Sequence, residues 1–116
     1  VVDFVLVGAL LSLIFVALVQ LAVVLHVRNT LIDCASDGAR WGALADRTPA
    51  DGAERARLLI TQDLSGRYAG DVEAGGEQVD GLATVVVRVR APLPLLGLLG
   101  AGRVLVVSGH ALREGP

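Results

Sequence analysis

The chain has 116 residues, of which 53% are hydrophobic and 19% charged, and its ten basic residues (all Arg) and twelve acidic residues leave a net charge of −2. That length holds one small domain, and a charged fraction below the usual ~25% means that part of the chain avoids water. One cysteine, Cys34, and two histidines exclude an internal disulfide framework and a Cys-based zinc module. The absence of a basic stripe removes the electrostatic footprint of nucleic-acid binding.

Phe4 to Leu25 is free of charge, interrupted only by Gly8, Ser12 and Gln20. As a helix this run spans roughly 33 Å, enough to cross a hydrocarbon core of about 30 Å. A small domain has too little mass to wrap an all-round apolar helix of this length, which argues against a buried core helix. The run is too long for a signal-peptide core, and no small-residue cleavage site follows it. The chain lacks Met, so it is expected to be a processed or trimmed form. Gln20 is either a hydrogen-bonding contact to a partner helix or a lipid-facing amide reaching for the interface. Asp3, at the edge of the run, is a functional candidate by position and equally an N-terminal charge favoured by the helix dipole.

The helical pattern continues past the apolar run. Val27, Leu31, Cys34, Ala35, Gly38, Gly42 and Ala45 recur at three- and four-residue steps, so residues 2–46 are predicted as one helix, apolar all round at first and then amphipathic with a narrow small-residue stripe. Trp41 on this helix is expected to cover the edge of a sheet. Thr48-Pro49, with Asp51 following, predicts an N-cap and the start of a second helix running to Ser65, with Gly66 just beyond its end. Asp51 with Arg55 and Glu54 with Arg57 have ion-pair spacing.

The period then changes to two. Asp71–Ala74 is predicted as a short strand ended by Gly75-Gly76. Leu82–Arg90 follows with Ala83, Val85, Val87 and Val89 on one face, and Val104–Arg113 with Leu105, Val107, Gly109 and Ala111 on one face. Ala91-Pro92-Leu93-Pro94 breaks the strand between them. The expected fold class is α+β: a long N-terminal membrane-spanning helix, a short second helix, and a small antiparallel β-sheet packed on the helix. The Leu95–Leu99 turn holds Leu95, Leu96, Leu98 and Leu99. It is expected to be a partner surface, because monomers seldom expose a large apolar patch; the competing arrangement folds it back to close the domain's own core.

No chemistry-bearing constellation emerges. His26 and His110 lie far apart without matching ligands, the serines lack a base in any recognisable motif, and no glycine loop leads into the Lys-Ser/Thr that phosphate binding requires. Asp33 and Asp37 suit a solvated face, and Cys34 suits a small core residue. No enzyme activity, metal or cofactor is expected.

Asp3-Phe4 before the apolar run resembles the mature start of type IV-like pilin subunits. Val27-Arg28-Asn29-Thr30-Leu31, the stretch from Ala35 through Trp41 to Ala43, and Ala91-Pro92-Leu93-Pro94-Leu95-Leu96-Gly97 ahead of a strand closing on Ser108-Gly109-His110-Ala111 resemble TadE-like proteins. These are minor pilins, or pseudopilins, of the tight-adherence (Tad) pilus machinery. The resemblance implies a type IV pilin-like fold and a prepilin peptidase cut ahead of the apolar helix, with an acidic residue slightly further from the cut than Asp3 stands from Val1. It implies that Asp3 pairs with a neighbouring subunit's N-terminal amine, with Phe4 and Gln20 as further subunit contacts.

On that basis residues 1–26 are expected to be a transmembrane and assembly helix, continuous with a small extracytoplasmic domain at 27–116. The location implied is the bacterial cytoplasmic (inner) membrane, with incorporation into an extracellular pilus. His26 and Arg28 then lie on the outer side, against the positive-inside bias. The expected function is a minor pilin that primes, caps or decorates a Tad-type surface pilus, in a hetero-oligomer with other pilin subunits and in contact with the membrane but not with nucleic acid. The alternative is a single-pass membrane-anchored scaffolding subunit of a secretion complex.

Overall fold

A computed structural model describes residues 1–92 and 104–113. Five regular elements and a short 3-10 turn follow in chain order. They are helix α1 (Val2–Gly42), helix α2 (Pro49–Asp63), the 3-10 turn (Gly66–Ala69), and strands β1 (Asp71–Val79), β2 (Leu82–Pro92) and β3 (Val104–Leu112). The strands form one antiparallel sheet in the order β1-β2-β3, and the fold is α+β. The molecule measures 73 × 29 × 21 Å, its long axis set by α1, which at about 1.5 Å per residue extends about 60 Å.

α1 has two halves of opposite character. From Val2 to Leu25 its large apolar side chains other than half-buried Val24 point outward, Phe4 being 82% exposed, and full burial begins at Val27. From there Val27, Leu31, Cys34, Ala35, Gly38, Ala39 and Gly42 form the buried stripe. The helix ends at Gly42, a turn earlier than the periodicity predicts, because the chain must reverse into α2. Arg47 N–H donates to Leu44 O within that reversal.

The reversal ends in a complete capping box. Thr48 N–H donates to Asp51 Oδ2 at 2.9 Å, and Asp51 N–H donates to Thr48 Oγ1 at 3.3 Å. Asp51 is thereby committed to the cap and forms no ion pair with Arg55, whereas Glu54 does pair with Arg57. α2 closes at Leu64 rather than at a glycine, its N–H donating to Ile60 O. Arg57 Nη2 also donates to Val72 O at 2.8 Å, filling a backbone acceptor on the outer edge of β1.

β1 runs through Gly75-Gly76, against the expected break there. The turn is Asp80-Gly81, both with positive φ (53° and 80°), the geometry of a two-residue hairpin loop. Its register pairs Val79 with Leu82 and Asp71 with Arg90. The inner face of the sheet carries Val72, Val89 and Val107 in one row and Ala74, Val87 and Gly109 in the next. With Leu31 and Ile60, both fully buried, these make an aliphatic core, each large side chain contributing about 1.5–3 kcal/mol. Thr84 and Val86, on the opposite face, are buried too. They sit in the middle strand, between Glu77 and Leu112 and between Gly75 and His110 respectively, where neighbours on both sides cover small side chains.

Glycines set the spacing of the layers. A Cβ at Gly38 would stand 2.6 Å from Gly52 O, and a Cβ at Gly109 would stand 2.6 Å from Ser36 Cα. β3 therefore lies directly on the α1 backbone. Arg113 Nη2 donates to Arg47 O at 3.1 Å, so β3 runs beside α1 in the same direction. The strand from Val104 to Gly109, about 17 Å long, therefore runs back along α1 from Ser36 toward Val27, which shares the core with Val107 and Leu105.

Gly109→Ala is expected to lower stability by about 1–3 kcal/mol through overpacking, while Gly75→Ala, whose added carbon meets open space, should cost far less. Thermal melts of the full chain in detergent, following the far-ultraviolet circular dichroism, check the difference.

Candidate functional site

The most extensive unpartnered surface among the described residues is the first half of α1. Its most apolar stretch is wholly unburied, and it is long and apolar enough by length and composition to cross a membrane. Asp3 stands in its first turn, where a carboxylate complements the helix dipole. It has no ion pair among the described residues, and Phe4 beside it points outward. Gln20 is half-buried, on the same stripe as Val24, Val27 and Leu31, so it faces the side of α1 on which the domain packs. The structure does not bring Asp3 and Phe4 together with Gln20; between four and five turns of helix separate them. Leu95, Leu96, Leu98 and Leu99 lie outside the described residues.

Trp41 departs from its expected place at a sheet edge. Its ring lies under two guanidiniums, Arg47 at 4.4 Å and Arg55 at 5.0 Å from the ring centroid, and it lines a shallow groove with Asp51, Glu54, Arg55 and Leu58. The reason is the tight reversal after Gly42, which swings Arg47 and the first turns of α2 over the ring. Stacking on the indole also accounts for the buried Nε atoms of Arg47 and Arg55, which lack hydrogen-bond partners. The close sequence spacing of Trp41 and Arg47 was the available signal; that Arg55 joins them depends on the helix crossing.

Cys34 is the core's one titratable side chain of note. Burial pushes its thiol up to about 11, and Asp63, whose Oδ2 lies 3.8 Å from Sγ, adds to the shift, as do Asp33 and Asp37. Such a thiol stays protonated and inert at neutral pH. Among the described residues, no group of three or more His, Cys, Asp and Glu could hold a metal ion; His26 and His110 stand apart on α1 and β3.

Because the folded thiol holds its proton above the ordinary value of 9.0, the folded state binds more protons than the unfolded state between about pH 9 and 11. Its contribution is full below that window and lost as the pH rises through it. Denaturant titrations of the full chain should show stability falling across this window, and the Cys34→Ala chain should show a shallower fall.

Comparison with known proteins agrees with the geometry of α1. The profile of the TadE-like protein family matches residues 1–40, which cover the exposed apolar half of α1 and most of its buried stripe. No curated protein and no solved structure matches the chain. Over residues 1–40 the chain is similar to TadE-like proteins.

Proposed function

We propose that this chain is a minor pilin or pseudopilin of a Tad-type surface pilus, with a structural and assembly role. The observation that carries the proposal is the division of α1. The TadE-like segment presents an apolar rod that the chain's own domain leaves uncovered, while the same helix continues into a packed α+β head. An uncovered rod of that length can lie in a bilayer, and it can lie against the rods of neighbouring subunits once it leaves the bilayer. Priming, capping or decorating the filament uses the same rod in both settings. The other pilin subunits are its partners. The cytoplasmic membrane is its location before incorporation, with the head outside.

In this reading residues 1–26 are the membrane and assembly segment and 27–116 the extracytoplasmic head. Asp3 pairs with a cationic group of a neighbour, because a carboxylate at the edge of a membrane helix needs a partner. Gln20 supplies an amide at an interhelical contact, and Phe4 fills apolar space beside Asp3. The leucines at 95, 96, 98 and 99 form a second partner surface.

Asp3→Ala is expected to leave membrane insertion intact and to reduce crosslinking to neighbouring pilin subunits severalfold; unchanged crosslinking would remove Asp3 from assembly. Sheared pilus fractions should contain the chain. Recovery from membranes alone would favour a scaffolding subunit that stays in the bilayer. Residues 27–116 expressed alone should remain soluble with mixed helix and strand circular dichroism, and a random-coil spectrum would refute the division.

A further inference from the structure

We propose that the membrane-facing end of the head is itself a lipid-contact surface, seated on the phospholipid headgroups beside the point where α1 leaves the bilayer. The inference rests on the membrane reading of α1 and extends it from the rod to the head. It starts from the direction of β3. Gly109 lies on α1 at Ala35–Ser36 and Arg113 reaches Arg47 O, so the first residues of β3 run back along α1 toward Val27, which shares the core with Val107 and Leu105 and stands two residues, about 3 Å, beyond Leu25, where the uncharged run ends. The headgroup region on each side of a hydrocarbon core is several ångströms deep. The start of β3 therefore falls within it.

The residues at that level suit an interface. Val104 and Val106, on the outer sheet face, are 58% and 51% exposed. Arg90 stands beside Val106 in register, and Arg28 is exposed on α1 just past the apolar run. α2 ends near the level of Cys34, where Asp63 meets it, and β1 begins at Asp71 in register with Arg90. The 3-10 turn between them therefore comes to the same end of the head. There Arg67 lies over the ring of Tyr68, 5.5 Å from its centroid. Exposed valines beside arginines and an amphipathic tyrosine match the chemistry of a headgroup boundary, where apolar side chains enter the acyl margin and guanidiniums meet phosphates. Asp63, Asp71 and Glu73 are acids near this end, and Arg90 and Arg88 stand in register with Asp71 and Glu73. The opposite end of the sheet, at Asp80-Gly81 and Leu112, is held away from the membrane by the length of the strands.

The test uses the full chain reconstituted in phosphatidylcholine–phosphatidylglycerol vesicles that contain brominated lipids. An environment-sensitive fluorophore is attached in turn to Ile14→Cys, Val106→Cys and Leu112→Cys. Native Cys34 is buried and its thiol stays protonated at neutral pH, so labelling is directed to the introduced site. The Ile14→Cys label should be quenched by lipids brominated deep in the acyl chain. The Val106→Cys label should be quenched severalfold more than the Leu112→Cys label by lipids brominated near the headgroup. Quenching at Ile14→Cys with equal, weak quenching at the other two sites would overturn the proposal and leave the membrane reading standing. No quenching at Ile14→Cys would overturn both. A Val106→Cys label shielded from lipid and from aqueous quencher alike would mean that a protein subunit covers this end, which also overturns the proposal.

Discussion

At Gly38, Gly52 and Gly109 backbone meets backbone, with no room for a single added carbon. A domain this small has little interior, and it gains one by stacking its layers at the shortest possible distance. α2 crosses α1 where glycine faces glycine, and β3 lies on α1 at Ala35 and Ser36. The valines of the inner sheet face then reach Leu31 and Ile60 without leaving voids. Larger residues on the stripe would hold the layers apart and leave an aliphatic core with almost no aromatic side chains unable to fill the gap.

The same close packing explains how one helix serves two environments. Beyond Val27 the stripe is narrow because small residues suffice where the partner is a backbone. Before Leu25 the head leaves most of the helix uncovered, no stripe is needed, and the helix is apolar all round. Val24 and Gln20 mark the overlap, half-buried on the line of the stripe though within the apolar run. A rigid α1 through that overlap couples the head to the rod, so that the orientation of one dictates the orientation of the other.

Polar groups are distributed so that each end of the head has its own character. The Trp41, Arg47 and Arg55 stack caps the far end of α1, and Arg57 seals the edge of β1. The outer sheet face sets acidic Asp71 and Glu73 on β1 opposite Arg90 and Arg88 on β2, which neutralises a face that no other described element covers. Two glycines within β1 are tolerated because the tight turn at Asp80-Gly81 and the long register of β2 hold the strand in place.

Residue order alone determined the class of the molecule and its elements. An uncharged run of membrane length, a three- and four-residue stripe, a capping sequence at Thr48-Pro49 and alternating valines each have a local physical cause, and each was legible where it stands. The TadE-like likeness was legible as well, because it lies in the continuous segment 1–40. β1 runs past the glycine pair, which by itself weakens a strand, because the positive-φ preference of Asp80-Gly81 sets the turn further on. The turn that brings Arg47 and Arg55 onto Trp41 and the seat of Gly109 on Ser36 were decided by tertiary structure alone. Each depends on the angle and separation at which two layers cross. No local propensity encodes these quantities; they follow from the mutual fit of side chains far apart in the chain.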